Sequence, residues 1–220
     1  MTGRRMLLAA AGLPGGSNLV STSDADNKIF IHAKATATIT SSFASPGGAP
    51  GGLATDDTNL ISLDFAALEI YVHTGFTSTI SATFAAPDAT PTGLTYDGAN
   101  LISTGRAGSK IYVHTGISAT ISTSFAAPSS NPRGLAYDGA NLISNSSSAY
   151  KIYVHTGVSA TVSTSFASPS NSPTGLTVIA GNLISADNIA HKIYKHSGIT
   201  STISLSFASA GDAPQGLTHT

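Results

Sequence analysis

The chain has no cysteine and no tryptophan, and only 10% of its 220 residues are charged, for a formal net charge of −1. Without cysteine, neither disulfides nor thiolate metal sites contribute, so small disulfide-stapled scaffolds are excluded while the compartment is left open. Without an excess of Lys and Arg there is no basic footprint for nucleic acid, and there is no acidic tail. No apolar stretch approaches the length of a membrane-spanning helix, so no membrane partner is expected. Polarity comes instead from Ser, Thr and Asn, punctuated by 22 Gly and 10 Pro. Such neutral, hydroxyl-rich surfaces suit an extracellular or virion-associated protein.

The opening segment, Met1 to Ala11, imitates a secretion signal with two arginines before a short apolar run. The run is at the short end for that purpose, and Pro14 with two glycines follows at once. A strand or an anchoring segment over residues 1–16 is the expected reading.

What the chain has in abundance is repetition. An Asn-Leu pair recurs with Asn at 18, 59, 100, 141 and 182, a step of 41 each time. A Phe recurs at 43, 84, 125, 166 and 207, and Gly-Leu recurs with Gly at 52, 93, 134, 175 and 216. Three markers keep one frame without an insertion, which is the signature of a repeat architecture.

The best-formed copy shows four strands. Strand A covers Gly93 to Tyr96 and ends on Asp97-Gly98, residues that tolerate a tight turn. Strand B starts at Asn100-Leu101, and strand C is Ile111-Tyr112-Val113-His114, β-branched and aromatic, turned by Thr115-Gly116. Strand D alternates Ile121, Thr123 and Phe125 against Thr120, Ser122 and Ser124. Gly and Pro recur too often for helix. Four short strands per period of this length make a propeller blade. The fold class is therefore all-β: a five-bladed β-propeller of four-stranded antiparallel blades, one domain over residues 1–220.

The run Pro132-Arg133-Gly134-Leu135-Ala136-Tyr137-Asp138-Gly139-Ala140-Asn141-Leu142-Ile143, followed by Lys151-Ile152-Tyr153, resembles propeller repeats of the NHL and YVTN kind. The chain departs from them in placing His at the end of the third strand. The resemblance implies the fold and leaves function open, since such propellers serve as enzymes, scaffolds and recognition modules.

Counting strands gives five copies each of B, C and D but only four internal copies of A. The C-terminal residues 215–220 are expected to supply the innermost strand of the first blade, closing the ring with strands from both termini. The alternative uses Met6–Ala11.

Repeated residues explain themselves as architecture. His32, His73, His114, His155 and His196 sit one per blade, too far apart to converge on a metal. Asp56, Asp57, Asp97 and Asp138 are turn residues, and the fifth copy has Ile179 instead. Glycoside hydrolysis needs two carboxyls roughly 5–9.5 Å apart, which a ring of turn residues does not supply. Lys28, Lys110, Lys151 and Lys192 open the C strands, with Glu69 in the second copy, as solvated edge charges. No Gly-x-Ser-x-Gly elbow supports a serine nucleophile.

Sameness breaks in the B–C and D–A connections, which share one face of the disc. Function prefers loops on a rigid scaffold, so the candidate binding residues are Asp64, Phe65, Arg106, Arg133, Tyr150, Asp187 and His191. Phe65 is the most informative, because an aromatic on a loop tip either packs or binds. The expected activity is non-enzymatic: a binding or structural module engaging a protein or glycan partner through this face, with no cofactor and no metal. A lectin-like glycan binder is one alternative, although without Trp its stacking falls to Tyr and Phe. A hydrolase or lyase with a site at the axial mouth is the other. The uncharged D strands add a further expectation of self-assembly through their outer edges.

Overall fold

Each repeat joins runs of Ile, Val, Leu and Thr through turns so short that consecutive strands must pair antiparallel. The computed structural model describes residues 17–220, which form twenty strands from β1 (Leu19–Ser23) to β20 (Pro214–His219), with no helix among the described residues. They make five antiparallel sheets of four. In each blade strand A lies innermost and D outermost. Strand B is buried along its whole length, as in Leu101–Gly105, whereas D shows most of its residues to solvent. The chain is thus an all-β five-bladed propeller.

The ring closes in the first blade, where β20 pairs with β1, β1 with β2 (Lys28–His32), and β2 with β3 (Ile39–Ala44). The pairing of β20 runs from Leu19 opposite His219 to Ser23 opposite Pro214. The Thr220 N–H donates to the Asn18 carbonyl at 2.9 Å, and the Asn18 N–H donates to Thr220 Oγ1 at 3.2 Å. The strand expected at 215–220 is the innermost strand, and the alternative over Met6–Ala11 lies outside the described residues.

The hydrophobic cores lie between blades. Leu94 and Leu101 of the third blade pack with Ala54, Ile61, Leu63 and Ile70 of the second, flanked by Phe84. The recurrent Phe also meets the histidine of the next blade at a steep angle, 59–62° between ring planes, with ring centroids 5.9–6.3 Å apart at all five junctions. Phe207 with His32 is the junction that spans the closure.

Those histidines are fully buried. Nε2 of His114 lies 2.9 Å from Ser103 Oγ and its Nδ1 lies 2.6 Å from the Ser118 carbonyl. A carbonyl only accepts, so Nδ1 carries the proton and Nε2 accepts from the serine hydroxyl. The same three groups recur in every blade, as Ser21–His32–Thr36, Ser62–His73–Thr77, Ser144–His155–Ser159 and Ser185–His196–Thr200. The repeated histidines are structural, each pinning strand B to the C–D turn.

The Asn-Leu marker clasps that turn from the other side. Asn100 Oδ1 accepts from the Gly116 N–H at 3.0 Å, and the Leu101 N–H donates to the Gly116 carbonyl at 3.0 Å. Gly116 has φ +63°, the left-handed region that favours glycine, and Lys34 takes this position in the first blade at φ 59°.

The turn aspartates are equally local. Asp97 Oδ1 accepts from the Ala99 and Asn100 amides at 2.9 and 2.7 Å. Where Ile179 replaces it, Ala180 and Gly181 both turn left-handed (φ 48° and 74°), as a two-residue hairpin loop requires.

Two predictions follow from the closure and the histidines. Removing residues 214–220 leaves the first blade with three strands and exposes the cores on both sides, so the truncated chain should lose its cooperative thermal transition in circular dichroism. Burial lowers the pKa of all five strand-C histidines below the ordinary 6.5, opposed by the carbonyl partner. The folded pKa is depressed, so the unfolded chain binds protons first as pH falls. Stability is full above pH about 6.5 and declines below it, by up to about 1.4 kcal/mol per pH unit for each histidine. The melting midpoint should be flat between about pH 8 and 7 and drop steadily towards pH 5. His114→Gln should make that drop shallower, and a flat profile would contradict the neutral histidines.

Candidate binding site at the axial mouth

Strand A sets the geometry of the axis. Each A strand contains Pro-x-Gly-Leu, and the strands pack against one another around the ring. A Cβ added to Gly52, Gly93, Gly134, Gly175 or Gly216 would sit 2.1–2.8 Å from backbone atoms of the neighbouring blade, so only glycine fits. The next residue, Leu53, Leu94, Leu135, Leu176 or Leu217, is buried in the core shared with the preceding blade. Together these residues leave a void of only about 10 Å³. This narrow waist lies between two wider mouths.

The mouth on the B–C and D–A face opens into a cavity of about 130 Å³. Its lining includes Gly51, Thr92, Arg133, Thr174 and Gln215, which are the five copies of the x in Pro-x-Gly. Phe65 and Arg106, two copies of the first residue of the B–C loop, complete the wall with Thr90 and Pro91. The other copies of that loop position are Asp24, Ser147 and Asn188, so no two blades agree there. The repeat is strict on both sides of x and varies at x itself. Variation is therefore concentrated where the side chains meet.

The walls are held by side chains from strand B. Thr104 Oγ1 donates to the Arg133 carbonyl at 3.1 Å and accepts from the Gly93 N–H at 2.9 Å. Thr22 makes the same pair with the Gly51 carbonyl and the Gly216 N–H, and Asn145 with the Thr174 carbonyl and the Gly134 N–H. Three of the x residues thus have their backbone tied to the preceding blade. Thr92 and Thr174 in turn donate from Oγ1 to the Pro132 and Pro214 carbonyls, at 3.0 and 2.7 Å.

Two cations enter this cavity. The Arg106 Nε–H donates to Asn131 Oδ1 and the Arg133 Nε–H to Ser147 Oγ, each at 3.3 Å. Burial, reinforced by the charge of Arg106, brings Arg133 down to about 10. Among the described residues the only contact of ion-pair length is His191–Asp212, at 3.9 Å on the surface.

Of the residues expected from sequence, the structure brings Phe65, Arg106 and Arg133 together. It places Asp64 and Asp187 elsewhere: both are buried, with their carboxylates turned into their own loops. Asp64 accepts from the amides of Ala49, Ala66 and Ala67 at 2.6–2.9 Å, and Asp187 from those of Ser172, Ile189 and Ala190 at 2.7–3.0 Å. In the third blade Gly105 occupies that position and Asp88 reaches in from the D–A loop, accepting from Thr90, Ala107, Gly108 and the Tyr112 hydroxyl. Tyr150 and His191 take the last B–C loop position, left-handed in every blade, and lie outside the cavity wall. Gln215, Thr92 and Thr174 were not singled out from sequence. The signal that finds them is the variable x between an unvarying Pro and Gly.

The opposite mouth is smaller, about 50 Å³, and is lined by Thr55, Tyr96, Tyr137, Thr177 and His219 among others. Thr177 Oγ1 and His219 Nδ1 lie 3.1 Å apart. Among the described residues neither mouth gathers two carboxylates or two histidines, and no group of three or more His, Cys, Asp or Glu forms a metal site.

No family model and no curated protein matches the chain. Among solved structures it is similar to the crystal structure of Myxococcus xanthus glutaminyl cyclase, with a TM-score of 0.63 at 13% identity over 73% of this chain and 77% of that one. It is also similar to a chain of the nidogen/laminin complex, with a TM-score of 0.59 at 16% identity over 94% of this chain and 86% of that one. Likeness at such identities establishes the fold alone, so the chain stands as a five-bladed β-propeller whose NHL-type repeat resemblance has no family match beside it.

Proposed function

We propose that this propeller is a non-enzymatic binding module that engages a partner through the mouth on its loop face. The observation that carries this reading is the placement of Gly51, Thr92, Arg133, Thr174 and Gln215 around one cavity, on a scaffold otherwise repeated blade by blade. A site built to bind needs diverse side chains on a rigid frame, and this mouth supplies them. Fold does not choose between enzyme and binder, since one similar structure is a cyclase and the other a protein–protein complex. The lining favours the binder, because it offers cations, an aromatic ring and an amide but no carboxylate or histidine.

A second reading has its own observation. The D strands are uncharged and largely exposed, and in the fifth blade Ile203 and Leu205 are open to solvent. Unpaired edges of this kind suit packing against further copies in an assembly.

A glycan array probed with the intact chain separates the two. Binding that Phe65→Ala weakens about tenfold or more, with an unchanged melting midpoint, is the expected result for a rim aromatic in a recognition site. A blank array combined with concentration-dependent assembly in light scattering would move the function to the outer strands.

A further inference from the structure

Arg106 and Arg133 reach the loop-side cavity from different blades, one from a B–C loop and one from strand A. Their hydrogen bonds to Asn131 and Ser147 use Nε–H alone. A guanidinium has five N–H donors in a planar fork, and among the described residues the Nη donors of both have no partner and can serve a ligand. No carboxylate among the described residues lies within ion-pair distance of either, and residues 1–16 contain no Asp or Glu. Two like charges sharing a cavity without a counter-charge destabilise the fold unless something anionic joins them. Arg133 registers this, since burial and the Arg106 charge bring it down to about 10.

Size narrows the ligand. A cavity of about 130 Å³ falls well below the roughly 300–1,000 Å³ that encloses a whole drug-sized molecule. It admits one substituent, and the rest of the ligand must lie across the loops. There Phe65 is 37% exposed and offers an apolar face, with Gln215 and Asn131 as amides nearby. An aromatic face beside neutral hydrogen-bonding groups suits a sugar ring and its hydroxyls.

We propose that Arg106 and Arg133 form an oxyanion site that takes the carboxylate or sulfate group of an acidic saccharide, with the sugar ring against Phe65. This rests on the reading of the loop face as a binding surface.

Calorimetric titration of the intact chain with glucuronic acid, glucose 6-sulfate and glucose at constant ionic strength tests it, alongside melting curves in sodium sulfate and sodium chloride. The acidic sugars should bind and glucose should not, and sulfate should raise the parent's melting midpoint over chloride by more than it raises that of the double Arg variant, which shows the general salt effect alone. Arg106→Gln and Arg133→Gln should each weaken acidic-sugar binding about tenfold or more, the value of a charge-assisted hydrogen bond. Their ligand-free midpoints should stay level or rise, because a like-charge repulsion is removed, so lost binding is not lost folding. Phe65→Ala should weaken the sugars and leave the sulfate effect intact. Equal binding of glucose, or undiminished binding by the double Arg variant, would overturn the site. Binding of an acidic peptide in place of the sugars would overturn the saccharide. If array ligands bind the double Arg variant as well as the parent, the oxyanion site falls and the loop-face reading stands. If neither the acidic sugars nor any array ligand binds and the chain assembles with concentration in light scattering, the oxyanion site and the loop-face reading fall together.

Discussion

The closeness of the five innermost strands at the axis governs the rest of the molecule. At each Pro-x-Gly-Leu the glycine has no room for a Cβ, with the neighbouring blade's backbone at 2.1–2.8 Å from where one would be. That contact fixes the glycine. The following leucine enters the core shared with the preceding blade, and the preceding residue faces the loop-side mouth. Three consecutive positions therefore have different duties: display, contact and core. Only the displayed one is free to vary, and it does, through Gly51, Thr92, Arg133, Thr174 and Gln215.

Around that axis the blades are secured by polar groups as much as by apolar ones. A buried hydroxyl or imidazole is costly unless its partners are met. Here the Ser–His–carbonyl set meets them five times over, and no buried side-chain polar atom among the described residues lacks a partner. The same imidazole packs against the Phe of the preceding blade, so one residue serves the turn within its blade and the seam between blades. With few charges to place, the protein uses hydroxyls, amides and neutral histidines for its internal specificity. The expected consequence is a fold that loses stability in acid and, among the described residues, rests little on ion pairs.

The architecture was legible because repetition turns one chain into five observations. Asn100, Gly116 and Phe125 each mark a contact that recurs, and a frame with no insertions exposes them. The recurring histidines could be assigned to structure on the same ground, since a ring separates what it repeats. The loop residues were harder to place for physical reasons. Asp64 and Asp187 look like free loop carboxylates, but their partners include an amide about fifteen residues upstream, across the preceding D–A connection. In the third blade the same task passes to Asp88 from the other loop, a replacement that a column of aligned repeats does not show. Tyr150 and His191 stood out as unusual residues, yet what their position demands is a left-handed backbone that any of several residues supplies.

Arg106 and Arg133 illustrate what symmetry does for a site. They are distant in sequence, and they occupy different positions of the repeat, so no local motif joins them. Ring closure brings both to one cavity, and Thr104 reinforces this by binding the carbonyl of Arg133 from the blade that carries Arg106. The backbone beneath the pair is rigid because it is repeated, while the charges above it are singular because they sit at the freed positions. A scaffold of this kind holds both guanidiniums at one cavity, since the packing of all five blades fixes the backbone from which they extend. Like charge gathered in the variable layer of a repetitive protein is what a ligand of opposite charge would neutralise.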